Sequence, residues 1–419
     1  IIAYVSSYAR LLKEKHHRPK VILGRDARIS GPIINGMVES CLLAMGLDVI
    51  QTGLSTTPTV EMAVVHHKAN GGIILTASHN PKNWNALKLL NQDGEFISEA
   101  DGLQIKQWSQ EQKFEYATIE KLGSLSSDAD SIACHVEKLL ALPEICSSQI
   151  RKKNFRVIAD CVNSTAAIAL PQLFEALHVK YELLNSEMNG HFAHNPEPLP
   201  ENLEQLMYAC KTGFDLGIAV DPDVDRLALV DEQGTYFGEE YSLVLAADYI
   251  LGLKTGNTVS NLSSSRALRD LTIAKGGKYA ASAVGEVHVV RKMKETNAII
   301  GGEGNGGIIL PDLHYGRDAL AGIALSLSQM ATSGKPLSEI KRSYPSYFMF
   351  KDKITIADDV DFEVLKRMLS AHIPGGIPDQ TDGLKIDFPD YWVHIRKSNT
   401  EPIVRIYSEA RTMEKAESL

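Results

Sequence analysis

One phrase, used three times, constrains the fold more than any other feature of this chain. A short β-branched run meets a polar turn, then a helical stretch, then another strand. The copies are "VILGRDARISGPIINGMVESCLLAMGLDVIQTG", "FRVIADCVNSTAAIALPQLFEALHVKYELL" and "NTVSNLSSSRALRDLTIAKGGKYAASAVG". Strand, helix, strand reads as α/β, with helices packed on a sheet. The copies start more than a hundred residues apart, at Val21, Phe155 and Asn257, so they are repeated domains and not a short-repeat solenoid. From about Tyr347 the pattern changes. It predicts a strand (Met349 to Ile356), a helix (Asp361 to Ala371) and a Pro/Gly loop (Pro374 to Pro378). "LKIDF", "YWVHIRK" and "IVRIYSEA" then alternate apolar and polar residues, as an antiparallel sheet with one wet face does. The expected architecture is three similar α/β domains with mixed sheets, then a smaller α+β domain with an antiparallel sheet. Polar stretches near 124–130, 231–234 and 332–339 suggest boundaries that give domains 1–127, 128–233, 234–344 and 345–419.

A chain of 419 residues with 44% hydrophobic content can bury such cores unaided. Its formal net charge of -9 argues against a nucleic-acid binder, so a positive pocket for an anionic substrate must be local. No apolar run reaches the length of a membrane span. The five cysteines, Cys41, Cys134, Cys146, Cys161 and Cys210, are odd in number and form no CxxC pair. A disulfide framework is therefore not expected, and a reducing, cytoplasmic compartment is. The chain opens without Met inside a helical pattern, Ile1 to Lys15, which suggests a truncated start.

Four loops carry chemistry. In "GGIILTASHNPKNWNALKLL" an apolar run ends on Thr76-Ala77-Ser78-His79-Asn80-Pro81. Ser78 or Asn80 can cap a turn there. Ser78 can equally be a covalent carrier with His79 and Lys88 nearby, although a serine hydroxyl needs assistance to react. In "LGIAVDPDVDRLALVDEQG", Asp221, Asp223 and Asp225 alternate before Arg226. Such crowded carboxylates repel unless a cation neutralises them, and hard oxygen donors suit Mg²⁺. An EF-hand loop is excluded, because its sixth position must be glycine and here is Arg226. A solvated acidic turn paired with Arg226 is the alternative.

"IIGGEGNGGIIL" satisfies G-x-G-x-x-G, but a strand and Pro311 follow where a dinucleotide site needs a helix. Glu303 and Asn305 on a tight glycine loop better suit sugar hydroxyls; a plain hairpin turn is the alternative. In "HIRKSNTEPIVRIYSEA", Arg396, Ser398, Asn399, Thr400 and Arg405 offer donors suited to a phosphate dianion. Ser398 and Glu401 also fit a capping box, but strand-like sequence follows instead of a helix.

Together these loops resemble those of the α-D-phosphohexomutases. "TASHNP" is similar to the family's phosphoserine loop, "DPDVDR" to its metal loop, "GEGNGG" to its sugar-binding loop and "RKSNTEP" to its phosphate-binding loop. "VILGRDARISG", "HNPEPLPENL" and "HYGRDA" resemble further family phrases, and the order is the family's. The resemblance implies an active site in a central cleft between domains. It implies that a phosphorylated Ser78 donates its phosphoryl group to a hexose monophosphate, and that the resulting hexose 1,6-bisphosphate reorients and returns its other phosphate. It implies one Mg²⁺ held by Asp221, Asp223, Asp225 and a phosphoserine oxygen at Ser78. Arg226 would neutralise the transferring group, and His79 and Lys88 would assist proton transfer. Glu303 and Asn305 would grip the sugar; Arg396, Ser398, Asn399, Thr400 and Arg405 would hold the other phosphate. The expected partners are sugar phosphates, with no nucleic acid or membrane, and the expected assembly is a monomer or homodimer.

Three departures bear on this reading. The family's N-terminal D-G/I-R-G type phrase, whose arginine lies in the active site, is not among these residues. Asn305 and Gly307 replace the Ser and His of many bacterial sugar loops, which points to archaeal-type phosphoglucosamine mutases. "SNTEP" is instead more typical of glucose and mannose members. The expectation is a glucosamine phosphate mutase, with a phosphoglucomutase/phosphomannomutase as the alternative and a Mg²⁺-dependent sugar phosphatase as the more remote one.

Overall fold

A computed structural model describes residues 1–355, 362–372, 375–397 and 403–419. The first sheet contains β1 (Lys20–Arg25), β2 (Asp48–Leu54), β3 (Gly71–Leu75), β4 (Leu87–Leu90) and β5 (Leu125–Ser127), in the order β4-β3-β1-β2-β5. The second contains β6 (Arg156–Asp160), β7 (Lys180–Leu184), β8 (Leu216–Val220) and β9 (Leu227–Val230), ordered β7-β6-β8-β9. The third repeats that order with β10 (Asn257–Asn261), β11 (Tyr279–Ser282), β12 (Ala298–Glu303) and β13 (Gly307–Ile309), as β11-β10-β12-β13. In each repeat the first three strands are parallel, and the third and fourth form an antiparallel hairpin. The sheets are therefore mixed, as expected. β3 and β8 are fully buried and β1 is buried except at its two ends, which is why these strands read as continuous apolar runs.

This repeat places the chemistry. Each of the first three loops of interest joins the third strand to the fourth in its own sheet: 76–86, 221–226 and 304–306. Ligands of open α/β sheets gather at such carboxyl ends. One apolar core runs from helix Ala166–Ala176 (Leu170, Leu173, Phe174) to helix Ala319–Ser333 (Ile323, Leu325, Leu327), so the second and third units share it.

The fourth sheet is wholly antiparallel: β14 (Phe348–Thr355), β15 (Ile377–Asp379), β16 (Leu384–Asp387), β17 (Trp392–Lys397) and β18 (Ile403–Ala410), ordered β14-β18-β17-β16-β15. The stretch expected as a Pro/Gly loop thus contributes an edge strand. Pro378 is tolerated there because an edge leaves one side of the ladder unpaired. The polar stretch near 124–130 likewise supplies β5, at the far edge of the first sheet. Ile356, Asp361 and Pro374, expected at element ends, lie outside the described residues. The five cysteines are free thiols. No helix among the described residues is long and apolar enough to cross a membrane.

Candidate active site

Ser78 follows β3 with its backbone in the left-handed region, φ 49°. Strain of this kind persists only where the surroundings over-determine it. Here they do. The Ser78 amide donates to Thr76 Oγ1 at 2.9 Å, and Thr76 Oγ1 donates to Asp26 Oδ2 at 2.7 Å. The fully buried Arg28 donates to the carbonyls of Ser78 (2.5 Å), Asn80 (2.8 Å), Pro81 (2.7 Å) and Trp84 (2.8 Å). Asp26 Oδ2 neutralises it at 2.9 Å. One guanidinium therefore gathers the whole loop. Its tight turn runs from the Pro81 carbonyl to the Trp84 amide, just ahead of the expected Asn83-Trp84-Asn85.

The Ser78 hydroxyl crosses to the second unit and donates to Asp221 Oδ2 at 2.6 Å. His79 Nδ1 lies 3.4 Å from the same hydroxyl. Burial, with Arg226 adding repulsion, pushes His79 down to about 3, so its imidazole is neutral. Asp221, Asp223 and Asp225 are all fully buried, and one oxygen from each lies within 4.8 Å of the others. Asp221 Oδ1 accepts from the Asp225 and Arg226 amides, both at 3.1 Å. Lys88 Nζ bridges Asp223 Oδ2 (2.6 Å) and Asp225 Oδ2 (2.7 Å). Burial would lower this lysine, but the two carboxylates outweigh it and hold it above its ordinary value. Burial and the neighbouring Asp225 and Asp223 push Asp221 well above the carboxylate range. These residues fit Mg²⁺: all donors are oxygen, and Asp223 Oδ1 and Asp225 Oδ1 are buried without a hydrogen-bond partner among the described residues.

In the third unit, Glu303 is engaged on both oxygens. Oε1 accepts from Asn261 Nδ2 (2.8 Å) and the Gly285 amide (2.9 Å), and Oε2 pairs with Arg317 Nη1 (3.0 Å). Arg317 also holds Asp225 and Glu286, each at 2.8 Å. A cavity of about 410 Å³ opens in front, lined by His79, Glu197, Arg226, Glu239, Glu240, Asn305, Lys351, Arg396 and Arg405 among others. The structure thus brings Asn305, His79, Arg226 and the two arginines of the fourth unit to one space, and sets Glu303 behind it. Arg396 and Arg405 are direct cross-strand partners between β17 and β18. Like charges placed opposite each other cost free energy, which a bound anion would offset. Ser398, Asn399 and Thr400 lie outside the described residues.

Several contributors went unassigned in the sequence. Arg28, Arg317, Thr57 and Glu197 all touch the site: Thr57 Oγ1 donates to Asp223 Oδ2 at 2.5 Å, and Glu197 Oε1 stands 3.6 Å from Arg226 Nη1. The usable signal was a charged pair beside glycine in "GRDARISG" and "YGRDAL", because arginine is rarely buried unless paired.

A cavity lined by His79, Arg226, Asn305 and an arginine pair from four units, with Ser78 beside His79 and bonded to a carboxylate cluster, is the equipment of a phosphohexomutase, an isomerase that moves a phosphoryl group within one hexose. Comparison with known proteins agrees. Residues 1–116, 133–234 and 238–347 match phosphoglucomutase/phosphomannomutase alpha/beta/alpha domains I, II and III, and residues 353–419 match the C-terminal domain of the same proteins. A phosphoglucomutase/phosphomannomutase of Thermococcus kodakarensis is 37% identical over 98% of this chain and 90% of its own. A probable phosphoglucosamine mutase of Methanopyrus kandleri is 33% identical over 95% of this chain and 88% of its own. The crystal structure of a family protein from Burkholderia thailandensis has the same fold, with TM-score 0.86 and 24% identity over 100% of this chain and 90% of that one. The chain belongs to the phosphoglucomutase/phosphomannomutase family.

Proposed function

We propose that this enzyme interconverts hexose 6-phosphate and hexose 1-phosphate through phosphorylated Ser78 and a hexose 1,6-bisphosphate, with glucosamine phosphate as its preferred sugar. The observation that carries the reaction is a single cavity with His79, whose Nδ1 is 3.4 Å from Ser78 Oγ, at one wall and the Arg396–Arg405 pair at another. One wall suits the reacting group, the other the phosphate that does not react.

In the first step the sugar O1 attacks phospho-Ser78. The P–O1 bond forms, the P–Oγ bond breaks, and the O1 proton leaves. His79, 3.4 Å from Ser78 Oγ, stands where it can assist that proton transfer once phosphoryl charge offsets the burial and the Arg226 repulsion that hold its imidazole neutral. The Lys88 ammonium, kept charged by Asp223 and Asp225, is suited to neutralise charge and assist proton transfer at the sugar oxygen, while Oγ takes up a proton. Arg226 faces the cavity and balances the transferring group. After the bisphosphate turns, the 6-phosphoryl group passes to Oγ, the P–O6 bond breaks and O6 takes up a proton. Mg²⁺ held by Asp221, Asp223, Asp225 and Ser78 would supply Lewis-acid charge neutralisation. Asn305 is placed to bond sugar hydroxyls, and Glu303 acts from behind by fixing Asn261 and Arg317.

For the sugar, the supporting observation is Glu240. It lines the cavity, and its carboxylate lies directly over Gly304, where an added Cβ would sit 2.1 Å from Oε2. A carboxylate against the sugar loop suits the ammonium of glucosamine. A glucose or mannose phosphate mutase remains the second reading, favoured by Asn399 in "SNTEP" and by the name of the 37% identical relative. Free thiols fit a cytoplasmic setting, with the enzyme acting as a monomer or homodimer.

The test uses protein carrying a phosphoryl label on Ser78, confirmed by mass spectrometry. Glucosamine, glucose and mannose phosphates are offered separately. Fast discharge by glucosamine phosphate with formation of its isomer is expected. Discharge by water alone, with no isomer from any sugar, would replace the mutase step by a phosphatase.

A further inference from the structure

A second cluster of titratable side chains lies outside the cavity, where three units meet. His314 Nδ1 is 3.4 Å from Glu61 Oε2, and His314 Nε2 is 3.2 Å from Asp318 Oδ2. His135 Nε2 reaches the same Asp318 oxygen at 2.9 Å, and His135 Nδ1 meets Thr59 Oγ1 at 3.0 Å. Glu61 and Thr59 belong to helix Thr57–His66, His135 to helix Ser131–Leu140, and His314 and Asp318 to the stretch before helix Ala319–Ser333. Glu61, His135 and Asp318 are buried, and His314 is nearly so.

Each nitrogen of His314 faces a buried carboxylate. An imidazolium donates to both, whereas a neutral ring would turn its one lone pair on one of them unless that carboxyl itself carried the proton. Burial alone would lower the His314 imidazole, but the hydrogen bond to Asp318 and the charge of Glu61 beside it raise it to about 10.

The cluster lies directly behind the metal loop. Helix Thr57–His66 begins at Thr57, whose hydroxyl binds Asp223 Oδ2 at 2.5 Å and whose amide binds the Asp223 carbonyl at 2.9 Å. On the other side, Asp318 Oδ1 caps the next helix by accepting from the Leu320 and Ala321 amides at 2.8 and 3.2 Å. The Ala319 amide donates to the Val224 carbonyl at 3.2 Å, and Arg317 holds Asp225. The two flanks of the Asp223–Asp225 segment are thus carried by the two elements that His314 joins.

We propose that His314 is a positioning residue: its imidazolium ties Glu61 of the first unit to Asp318 of the third, with His135 of the second beside them, and so fixes the Asp221–Asp225 loop for Mg²⁺. It touches neither substrate nor metal. Its effect is transmitted through Thr57 on one side and through Arg317 and Ala319 on the other.

The experiment compares the full chain with H314Q and with the double variant E61Q/H314Q, which removes one carboxylate along with the cation. Mg²⁺ binding is read without substrate by calorimetric titration, and kcat and KM are measured separately. H314Q is expected to weaken Mg²⁺ binding about tenfold, the low end for loss of a partner outside the metal's own ligands. It lowers kcat and leaves KM for the sugar phosphate nearly unchanged, because the Arg396–Arg405 pair lies in another unit. The double variant recovers most of the Mg²⁺ affinity. Folded H314Q with unchanged Mg²⁺ affinity overturns the proposal, and so does a rise in KM that accounts for the lost activity. If H314Q does not fold, E61Q alone is read in the same way: weaker Mg²⁺ binding supports the positioning role and unchanged binding overturns it. A strong chelator of transition metals that lowers the Tm of the native protein, but not of H314Q, would also overturn it, since a metal and not a proton would then lie between the carboxylates.

Discussion

Arg317 Nη2 lies 2.8 Å from Asp225 Oδ2, and the same guanidinium grips Glu303 and Glu286 with its other nitrogens. One cation therefore joins the Asp221–Asp225 loop to the Glu303 loop. Burial would lower Asp225, but Arg317, Lys88 and Arg226 outweigh it and hold it below the carboxylate range. Arg317→Gln leaves buried carboxylates facing one another without their counter-charge. Removing one partner of a buried ion pair costs about 3–5 kcal/mol. Equilibrium urea unfolding is expected to show a loss of that order, together with loss of mutase activity. Arg317→Lys should recover only part of it, because an ammonium cannot span three carboxylates as a planar fork does.

Glu240 gives the sugar preference its own test. Burial, opposed by Lys351, pushes it up to about 8, so at neutral pH its carboxyl gains charge when a cation arrives. Its Oε2 also accepts from the Ser265 amide at 2.8 Å, which keeps it in place. Glu240→Gln preserves the shape and that bond. The ratio of kcat/KM for glucosamine phosphate over glucose phosphate should fall about tenfold, the size of a lost charge-assisted hydrogen bond. An unchanged ratio would remove Glu240 from sugar selection.

The contact between the third and fourth units should weaken in acid. His394 on β17 is buried, with Nδ1 3.0 Å from Ser263 Oγ and Nε2 2.7 Å from the Asp382 carbonyl. Burial pushes it down to about 4 from the ordinary 6.5. A folded value below the unfolded one means that the unfolded state binds the proton more readily. The stabilisation is therefore complete above pH 6.5 and is lost as pH falls from 6.5 through 4. At about 1.4 kcal/mol per unit the loss approaches about 3 kcal/mol by pH 4. Urea midpoints measured from pH 8 to pH 4 should show this decline, and His394→Gln should flatten it.

Much of the site was legible because its key residues are neighbours in sequence. Ser78-His79 and the Asp221–Asp225 alternation sit at strand ends where their chemistry is out of place, and the hairpin topology makes those ends converge. Arg28, Arg317 and Thr57 were not legible as site residues, because their roles are fixed by distant partners: Arg28 meets Ser78 50 residues away, and Thr57 meets Asp223 166 residues away. The position of Glu303 behind the cavity had no local signal either, since Asn261 and Arg317 determine it. Fold reading failed in the same way at β5 and β15. Each has three residues, one polar and one holding proline, and only pairing with a neighbour makes them strands.

Ser78 and Asp223 separate carrier from metal. Ser78→Ala removes the oxygen that bonds Asp221 but leaves Arg28 and Thr76 holding the loop, so the Tm should shift little. Serine already carries the Cβ that makes a left-handed backbone costly, so alanine adds little strain there. The variant should neither incorporate a phosphoryl label from hexose 1,6-bisphosphate nor form product, while still binding the sugar phosphate through the Arg396–Arg405 pair. Asp223→Asn should behave differently. It keeps the hydroxyl of Ser78 but strips a charge from Lys88 and one hard donor from the cluster. Labelling of Ser78 should then persist at a reduced rate that rises with Mg²⁺ concentration well beyond the point where the native enzyme saturates. Full turnover in Ser78→Ala would sink the covalent carrier, and a Mg²⁺ response in Asp223→Asn identical to the native one would sink the metal assignment alone.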